Sequence, residues 1–430
     1  MKNQFDRGLK QTVDWKLVVC YLLLVLIGCI NIYASVQSGE PASIFDLTSR
    51  SGKQFLWFGF SLVAAVLILF VISPRLWEVF SSPAYFVVLI LLVAVIFLSK
   101  ETKGSHSWFE FGPVKFQPAE ISKITTSLML AAYMSHPNFK ITNQRNFFVM
   151  SLIVGIPMLV IVAESETGSA LVYLGFLFAL YREGLTGWLL FIIGMAIFLF
   201  VLTLITGPWI SVAVLSGIVI SLLIFYLRKY RRVRRFKRDV WRNAVIGLIV
   251  GTAFVFCTQF AFNNVLKDYQ RARIEVLLGL REDPSGAGYN VHQSLIAIGS
   301  GGLTGKGFLQ GTQTAYGFVP EQSTDFIFCT IGEEWGFVGC LAVILIYALL
   351  ILWIIQDADQ SREAFTRIYG YCLASCLFMH LFINIGMTIG LMPVIGIPLP
   401  FMSYGGSSLL AFTTMLFIFI ALNRQEKKYF

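Results

Sequence analysis

The sequence predicts an all-α polytopic integral membrane protein with about 12 transmembrane helices, organised as a single membrane domain over residues 1–430. Hydrophobic residues make up 57% of the chain and charged residues only 13%, about half the charged share of a soluble protein. Apolar runs long enough to cross a bilayer recur from one end to the other. Basic residues are concentrated in the polar segments between these runs, as is typical of multi-pass proteins.

Twelve apolar segments are predicted to span the membrane, and most approach the roughly 20 residues that a crossing needs. They lie at residues 16–35, 54–73, 77–99, 119–135, 147–163, 168–182, 186–206, 209–227, 243–265, 325–354, 366–389 and 405–423. The fourth and sixth segments are short, which predicts tilted, broken or re-entrant helices beside a polar cavity. The first segment lacks a small-residue cleavage site after a short apolar core, which indicates a membrane helix rather than a signal peptide.

The distribution of basic residues predicts the orientation. With the N-terminus in the cytoplasm, 22 of the 33 lysines and arginines lie on the inner side, although the outer loops are longer. Both termini are therefore expected in the cytoplasm. Two long polar segments then lie outside, residues 99–118 and a large extracytoplasmic loop over residues 266–324. Long ordered loops are usually functional, and this one is expected to form short helices on the membrane surface.

The net charge of +9 does not predict a nucleic-acid partner, because the basic residues follow the spans. Nine of them lie in the run 228–242, where anionic lipid headgroups are the expected contact and a cytoplasmic partner is the alternative. The seven cysteines lie in apolar stretches without a CxxC pair, and the four histidines have no ligand spacing. Neither a disulfide framework nor a zinc site is predicted.

The large outer loop contains two features that bear on chemistry. Asp283 begins the sequence Asp-Pro-Ser-Gly, a strong turn signal, and on composition alone a turn cap is favoured over a catalytic role. The segment GSGGLTGKG contains Lys306 but is not a nucleotide P-loop, because Gly307 rather than Ser or Thr follows the lysine. A glycine-rich backbone beside a lysine can still cradle a lipid-linked phosphate.

Charged side chains within the predicted spans also require a structural or functional explanation. Glu120 and Lys123 lie three residues apart and so share one helix face. Ionised groups inside a membrane are paired or face a cavity, so the two are either a structural ion pair or a substrate contact. Glu164 and Glu166 bracket a break between the fifth and sixth spans. The stretch 384–410, rich in proline and glycine, cannot be a continuous helix and is expected to be a rigid connector.

Four separated blocks carry a specific resemblance to a known family. They read GSHSWFEFGPVKFQPAEISK, ESETGSAL, DPSGAGYNVHQSLIAIGSGGLTGKG with the later PEQSTDFIFCTIGEEWGFVG, and PVIGIPLPFMSYGGSS. In this order they resemble the SEDS family (shape, elongation, division and sporulation proteins), the polytopic peptidoglycan glycosyltransferases. The third block is more similar to the elongation branch of the family than to its division branch.

The resemblance implies an enzyme that polymerises lipid II into glycan strands on the outer face of the bacterial cytoplasmic (inner) membrane during cell elongation and rod-shape maintenance. It places the family's essential aspartate at Asp283 and its lysine of the fourth span at Lys123, with Glu120 beside it. The other candidates for substrate binding or support are Glu166, Trp108, Lys306, Gln293 and Ser294. The implied partners are a class B penicillin-binding protein acting as transpeptidase and other elongation-complex proteins.

The chain departs from the family pattern at three places. Ser107 stands where the family has an arginine before Trp108, so any phosphate contact of that arginine is absent or lies elsewhere. Glu164-Ser165-Glu166 replaces Gln-Pro-Asp, which adds charge and removes a proline. Residues 186–227 are expected to form an extra transmembrane hairpin beyond the ten spans typical of the family.

The implied reaction assigns roles to these groups. Asp283 is expected to act as general base on a sugar hydroxyl, a contribution of roughly 10²–10⁴ in rate. The leaving diphosphate needs cations, supplied by Lys123, Lys306 and Arg271 or Arg273, or by a divalent ion such as Mg²⁺ or Mn²⁺. A transporter (flippase) of lipid-linked cell-wall precursor and a non-catalytic scaffold are the alternatives. Motifs concentrated on one membrane face favour the enzyme over the transporter.

Overall fold

The structure, a computed structural model, describes residues 13–36, 43, 45–99, 105–111, 114–229, 234–266, 268–281, 283, 286 and 288–429. Within these residues the chain is almost entirely helical, with one two-stranded antiparallel hairpin. The predicted all-α class is therefore confirmed. The N-terminal tail, residues 230–233 of the basic run, and Pro284 and Ser285 of the predicted turn lie outside the described residues.

The helices and strands follow in chain order. They are α1 (Trp15–Val36), α2 (Arg50–Phe70), α3 (Pro74–Val79), α4 (Ser81–Leu98), β1 (Phe109–Phe111), β2 (Val114–Phe116), α5 (Pro118–Met134), α6 (Gln144–Ala163), α7 (Thr167–Tyr173), α8 (Phe176–Arg182), α9 (Gly187–Thr206), α10 (Pro208–Lys229), α11 (Arg234–Asn264), α12 (Asp268–Leu277), α13 (Tyr289–Gly301), α14 (Thr312–Ala315), α15 (Ile327–Gln360), α16 (Ala364–Thr388) and α17 (Gly406–Tyr429). Short helices therefore occupy the large loop, as expected.

Ten of the described helices are long and apolar enough to cross a membrane, which confirms a multi-pass membrane protein. The short fourth and sixth predicted spans correspond to α5, with 17 residues, and to the pair α7 and α8. The sixth is broken at Gly175, where a Cβ atom would lie 3.0 Å from the carbonyl oxygen of Ser375. The backbone of α16 therefore passes close to Gly175, at the break that the short apolar run predicts.

The described chain divides into two compact units, Met1–Leu185 with Asn290–Phe430, and Thr186–Tyr289. The second unit contains α9, α10 and α11, which pack around Leu199, Leu215 and Val255. The predicted hairpin over residues 186–227 is therefore present as α9 and α10, and it packs with α11. Its status as an addition to the family fold stays a prediction. The predicted loop 266–324 is shared between the two units.

Helices α16 and α17 form the centre of the first unit. In each of these two helices, 78% of the most apolar stretch is buried, compared with 22% in α2 and in α6. Helix α16 packs against α15, α5 and α8, and α17 packs against α2. Because α5 lies against the buried α16, the polar residues of α5 face protein rather than lipid.

The glycine-rich segment that contains Lys306 lies directly against the first turns of α15. A Cβ atom on Gly301 would come within 1.9 Å of the carbonyl oxygen of Gly332, and one on Gly305 (φ +80°) within 2.1 Å of that of Glu334. The N–H groups of Lys306 and Gly307 donate to the carbonyls of Glu333 and Glu334, and that of Gly305 donates within its own turn. These three amides are already paired within the protein, and the glycines at 301 and 305 allow close backbone packing, while a phosphate contact of this segment stays a prediction.

Replacing Gly301 by Ala is expected to lower the free energy of unfolding by about 1–3 kcal/mol, because the new methyl group collides with the α15 backbone. Gly299, on the same helix, has no atom within 4 Å of a built Cβ. Gly299→Ala is therefore the matched control, and it should raise stability by about 0.5–1 kcal/mol through helix propensity. Unfolding midpoints of the two purified variants in detergent test this contrast. Equal midpoints would contradict the packing.

Candidate active site

Lys123 and Glu120 form a buried ion pair on α5. The Lys123 Nζ lies 2.9 Å from the Glu120 Oε1, and the two side chains are 1% and 2% exposed. The helix begins at Pro118, whose ring suits the first helical position, and the i, i+3 spacing brings the two charges together. The other carboxylate oxygen of Glu120 is buried without a hydrogen-bond partner. This oxygen is therefore an unused acceptor beside the ion pair.

His380 on α16 completes the surroundings of Lys123. Its Nε2 lies 2.9 Å from the Lys123 Nζ, and its Nδ1 lies 3.0 Å from the carbonyl oxygen of Pro398. The Phe412 ring of α17 lies 4.9 Å from the same ammonium, a cation–π contact. The sequence prediction assigned no role to His380. The available signal was an ionisable residue inside an apolar span, which marks a functional candidate in membrane proteins.

Glu166 lies at the break between α6 and α7 and contacts the first predicted outer loop. The Ser107 hydroxyl donates to the Glu166 Oε1 at 2.8 Å. Ser107 is fully buried. Glu166 is close enough to Glu120 and Lys123 for both charges to act on it. Two departures from the family pattern, Ser107 and Glu166, are therefore in direct contact with each other.

Glu164 is fully buried, and neither carboxylate oxygen has a hydrogen-bond partner. It follows the last residue of α6, outside the spanning helices, and its carbonyl accepts the N–H of His106 at 3.1 Å. Burial raises the pKa of the Glu164 carboxyl to about 8, and the neighbouring Glu166 adds to the shift. Glu164 therefore keeps its proton at neutral pH and adds no negative charge beside Glu166.

This protonation predicts a pH dependence of stability. Between about pH 4.5 and pH 8 the folded protein keeps a proton on Glu164 that the unfolded chain has lost. The free energy of unfolding contributed by this group therefore falls as the pH rises, by up to about 1.4 kcal/mol per pH unit. Glu164→Gln should remove this slope, and Glu78→Gln, at an exposed position, should leave it in place. Unfolding midpoints from pH 5 to 8 measure it, and parallel curves for parent and Glu164→Gln would disprove the assignment.

Lys306 is paired with a carboxylate of α15. Its Nζ lies 2.6 Å from the Glu333 Oε1, and Glu333 is fully buried. The same carboxylate accepts the N–H groups of Thr312, Gln313 and Thr314, which begin α14, at 2.8–2.9 Å. Lys306 thus already has a counter-charge, and the pair fastens the loop to α15. A role of Lys306 in substrate binding stays a prediction.

The remaining candidates of the first unit are held in different ways. The Ser294 hydroxyl is buried and donates to the carbonyl of Thr388 at 2.9 Å, which ties α13 to the end of α16. Gln293 and Trp108 are half-buried. Their predicted contacts with substrate stay predictions.

Asp283 belongs to the second compact unit and lies in a tight turn. Its carbonyl accepts the N–H of Gly288 at 3.1 Å, and a Cβ atom on Gly286 would lie 2.5 Å from the Asp283 Oδ2. The carboxylate is 22% exposed, with the Arg281 guanidinium at 4.0 Å. The predicted turn stays a prediction, because Pro284 and Ser285 lie outside the described residues, and the Asp283 carboxylate is partly exposed.

An apolar cavity of about 270 Å³ lies beside α5 in the first unit. Its wall is aromatic and aliphatic and includes Trp57, Trp77, Phe80 and Leu128, while Lys115 of β2 also lines it. Among the described residues, no three His, Cys, Asp or Glu side chains are placed to hold a metal ion. The first unit thus combines an apolar cavity with a cluster of the buried Glu120, Lys123 and His380 and the half-buried Glu166.

Fold and site together define a multi-pass helical membrane protein with a buried ion network between its central helices. Residues 14–240 and 240–428 match the family model FTSW_RODA_SPOVE, described as "Cell cycle protein". The peptidoglycan glycosyltransferase MrdB of Escherichia coli (strain K12) is 35% identical over 361 residues, which cover 83% of this chain and 81% of MrdB. The peptidoglycan glycosyltransferase RodA of Treponema pallidum (strain Nichols) is 30% identical over 423 residues, 92% of this chain and 94% of RodA.

Solved structures share the fold. A chain from work on structural coordination of polymerization and crosslinking by a peptidoglycan synthase complex has a TM-score of 0.66, with 23% identity over 96% of this chain and 98% of its own. The rod shape determining protein RodA of Thermus thermophilus has a TM-score of 0.60, with 23% identity over 96% and 97% of the two chains. The chain belongs to the FtsW/RodA/SpoVE family, which is the SEDS family, and the resemblance carried by the four sequence blocks is confirmed.

Proposed function

We propose that this protein is a peptidoglycan glycosyltransferase that polymerises lipid II into glycan strands during cell elongation and rod-shape maintenance. The observation that carries the proposal is that relatives with this named activity, at 35% and 30% identity, align over most of the chain. Relatives named FtsW are less similar, at 26–27% identity, which supports the elongation branch. The flippase alternative is not favoured, because these relatives are named as glycosyltransferases.

Asp283 is proposed as the general base. A sugar hydroxyl is a weak nucleophile near neutral pH, and a carboxylate that takes its proton as the new bond forms raises the rate by roughly 10²–10⁴. The turn around Gly286 and Gly288 leaves the Asp283 carboxylate partly exposed, which a base acting on a large substrate requires. The Arg281 guanidinium lies 4.0 Å from the Asp283 Oδ2.

The leaving diphosphate needs positive charge. Lys123 is proposed to supply it, because its ammonium is held in a buried polar cluster where electrostatic stabilisation is strong. A divalent cation, Mg²⁺ or Mn²⁺, is proposed to enter with the diphosphate, since Mg²⁺ typically combines substrate phosphates with one or two carboxylates. The apolar cavity lined by Trp57 and Leu128 is proposed to receive part of the hydrocarbon tail.

The proposed setting is the bacterial cytoplasmic (inner) membrane, with both termini in the cytoplasm and the large loop outside. Basic residues concentrated on one side of the spans support this orientation. A class B penicillin-binding protein is the proposed transpeptidase partner, together with other elongation-complex proteins. A fold shared with a chain of a complex that coordinates polymerization and crosslinking supports this partner.

Reconstitution tests the function. Purified protein in vesicles with a class B penicillin-binding protein and fluorescent lipid II should yield glycan polymer, resolved by gel, in the presence of Mg²⁺ or Mn²⁺. Chelation of divalent ions should reduce the yield if the cation takes part. Movement of lipid II across the bilayer without polymer would support a transporter instead. A protein that only stimulates crosslinking would be a scaffold.

A further inference from the structure

The surroundings of Lys123 contain a residue that the proposed reaction does not yet use. His380 is 1% exposed and is separated from Lys123 by 257 positions in the chain, yet the two side chains meet at hydrogen-bond distance. The edge of the imidazole also packs on Phe412, with ring centroids 4.7 Å apart and planes at 82°. The role of this buried histidine beside a proposed substrate-binding cation depends on which of its ring nitrogens carries a proton.

The hydrogen bonds of His380 determine which nitrogen carries the proton. The Pro398 carbonyl can only accept, so the Nδ1 at 3.0 Å must be the donor. The Nε2 then has a free lone pair, and the Lys123 ammonium at 2.9 Å donates to it. A doubly protonated imidazole would direct an N–H bond at the ammonium. The geometry therefore requires a neutral histidine that accepts from the lysine.

His380 is one of three groups that surround the Lys123 ammonium. An ammonium has three N–H bonds. One points to the Glu120 Oε1 and one to the His380 Nε2, both at 2.9 Å. The Phe412 ring face covers a further side. The position of the ammonium is therefore fixed by these three contacts, one of which is the hydrogen bond to His380.

We propose that His380 is a positioning residue for the glycosyl transfer, which holds the Lys123 ammonium in the position from which it acts on the substrate diphosphate. The proposal rests on the proposed function, in which Lys123 binds the lipid-linked diphosphate. It also assigns a role to residues 389–405, the segment between α16 and α17, because the carbonyl of Pro398 accepts a hydrogen bond from the imidazole Nδ1. Proline rings and packed surroundings make such a carbonyl a rigid reference point.

Two conservative replacements separate the two hydrogen bonds of His380. The carbonyl of Gln at position 380 reaches the place of Nε2 and can accept from Lys123, but it gives up the Pro398 contact. The amide of Asn reaches the place of Nδ1 and can donate to Pro398, but it gives up the contact with Lys123. We expect His380→Asn to lower kcat for lipid II polymerisation about 10-fold or more, while His380→Gln stays within about 3-fold of the parent.

The matched control is Tyr369→Phe, which removes another buried side-chain hydrogen bond of α16, to the carbonyl of Met415, away from Lys123. It should lower the unfolding midpoint without lowering kcat. If His380→Gln loses activity and His380→Asn keeps it, the histidine serves the connector and the proposal is overturned. Equal losses in His380→Asn and Tyr369→Phe would overturn it as well.

A thermal double-mutant cycle tests the contact without using the reaction. In the parent background His380→Asn should lower the unfolding midpoint clearly. In the Lys123→Met background the same change should lower the midpoint by less than about half as much, because the effects of contacting residues are coupled. Equal shifts in both backgrounds would overturn the contact. If the parent protein fails to polymerise lipid II, the proposed function fails, and this cycle still decides whether His380 holds Lys123.

Discussion

Asp283→Asn is expected to lower the rate of lipid II polymerisation by roughly 10²–10⁴-fold, because an amide cannot take a proton from the attacking hydroxyl. Asn has the same size as Asp, and the backbone bond from Gly288 to the carbonyl of residue 283 does not involve the side chain. The turn should therefore persist. The measurement is glycan synthesis by the reconstituted protein with its transpeptidase partner, with the unfolding midpoint recorded in parallel.

The control for this variant is Asp268→Asn, an exposed acid in the first turn of α12 within the same segment. It should leave polymerisation unchanged. A second variant keeps Asp283 but displaces its carboxylate: a methyl group at Gly286 would lie 2.5 Å from the Asp283 Oδ2. Gly286→Ala should therefore also lower the rate. Full activity of Asp283→Asn would show that this residue only caps its turn.

Lys123→Met is expected to abolish polymerisation and to lower the free energy of unfolding by about 3–5 kcal/mol, because it leaves the buried Glu120 without its counter-charge. The double variant Glu120→Met with Lys123→Met removes both charges. Replacing a whole buried ion pair by apolar residues of similar volume is often neutral or stabilising. The double variant should therefore recover the unfolding midpoint of the parent.

Activity of the double variant then decides between the two roles of this ion pair. If Lys123 binds the substrate diphosphate, the double variant is stable and inactive. If the pair only holds helices together, the double variant polymerises lipid II at the rate of the parent, and the substrate contact is wrong. Unfolding midpoints in detergent and glycan synthesis in vesicles give the two readouts on the same preparations.

The helices could be predicted from the sequence because their signal is local. Every predicted span has a helix in the structure, and the two short ones, at α5 and at α7 with α8, are those that fall below the length of an ordinary crossing. The sequence also predicts a turn at Asp283, since proline fixes its own φ and glycine tolerates a positive φ, but most of that turn lies outside the described residues. The spacing of Glu120 and Lys123 placed them on one face of α5 for the same reason.

Contacts between distant segments could not be predicted in this way. His380 meets Lys123 across 257 positions, and no local pattern in α16 indicates that partner. Ser107 and Glu166 appeared as separate departures from the family, and only the fold shows that they share a hydrogen bond. The glycines at 301 and 305 suggested a phosphate-binding loop, whereas a neighbouring backbone within 2.1 Å of a built Cβ atom explains their size. Each case depends on which element lies opposite, and that is a property of the tertiary structure.

The carboxylate of Glu333 has a consequence for how the loop moves. A four-residue helix such as α14 would fray within nanoseconds to microseconds on its own, and its amide protons would exchange with water almost freely. Here the backbone N–H groups of Thr312, Gln313 and Thr314 donate hydrogen bonds to the Glu333 carboxylate. This side chain belongs to α15 and is fully buried. The first turn of α14 is therefore anchored to a buried side chain of α15. Amide exchange at Thr312, Gln313 and Thr314 should therefore be slower than in an isolated helix of this length.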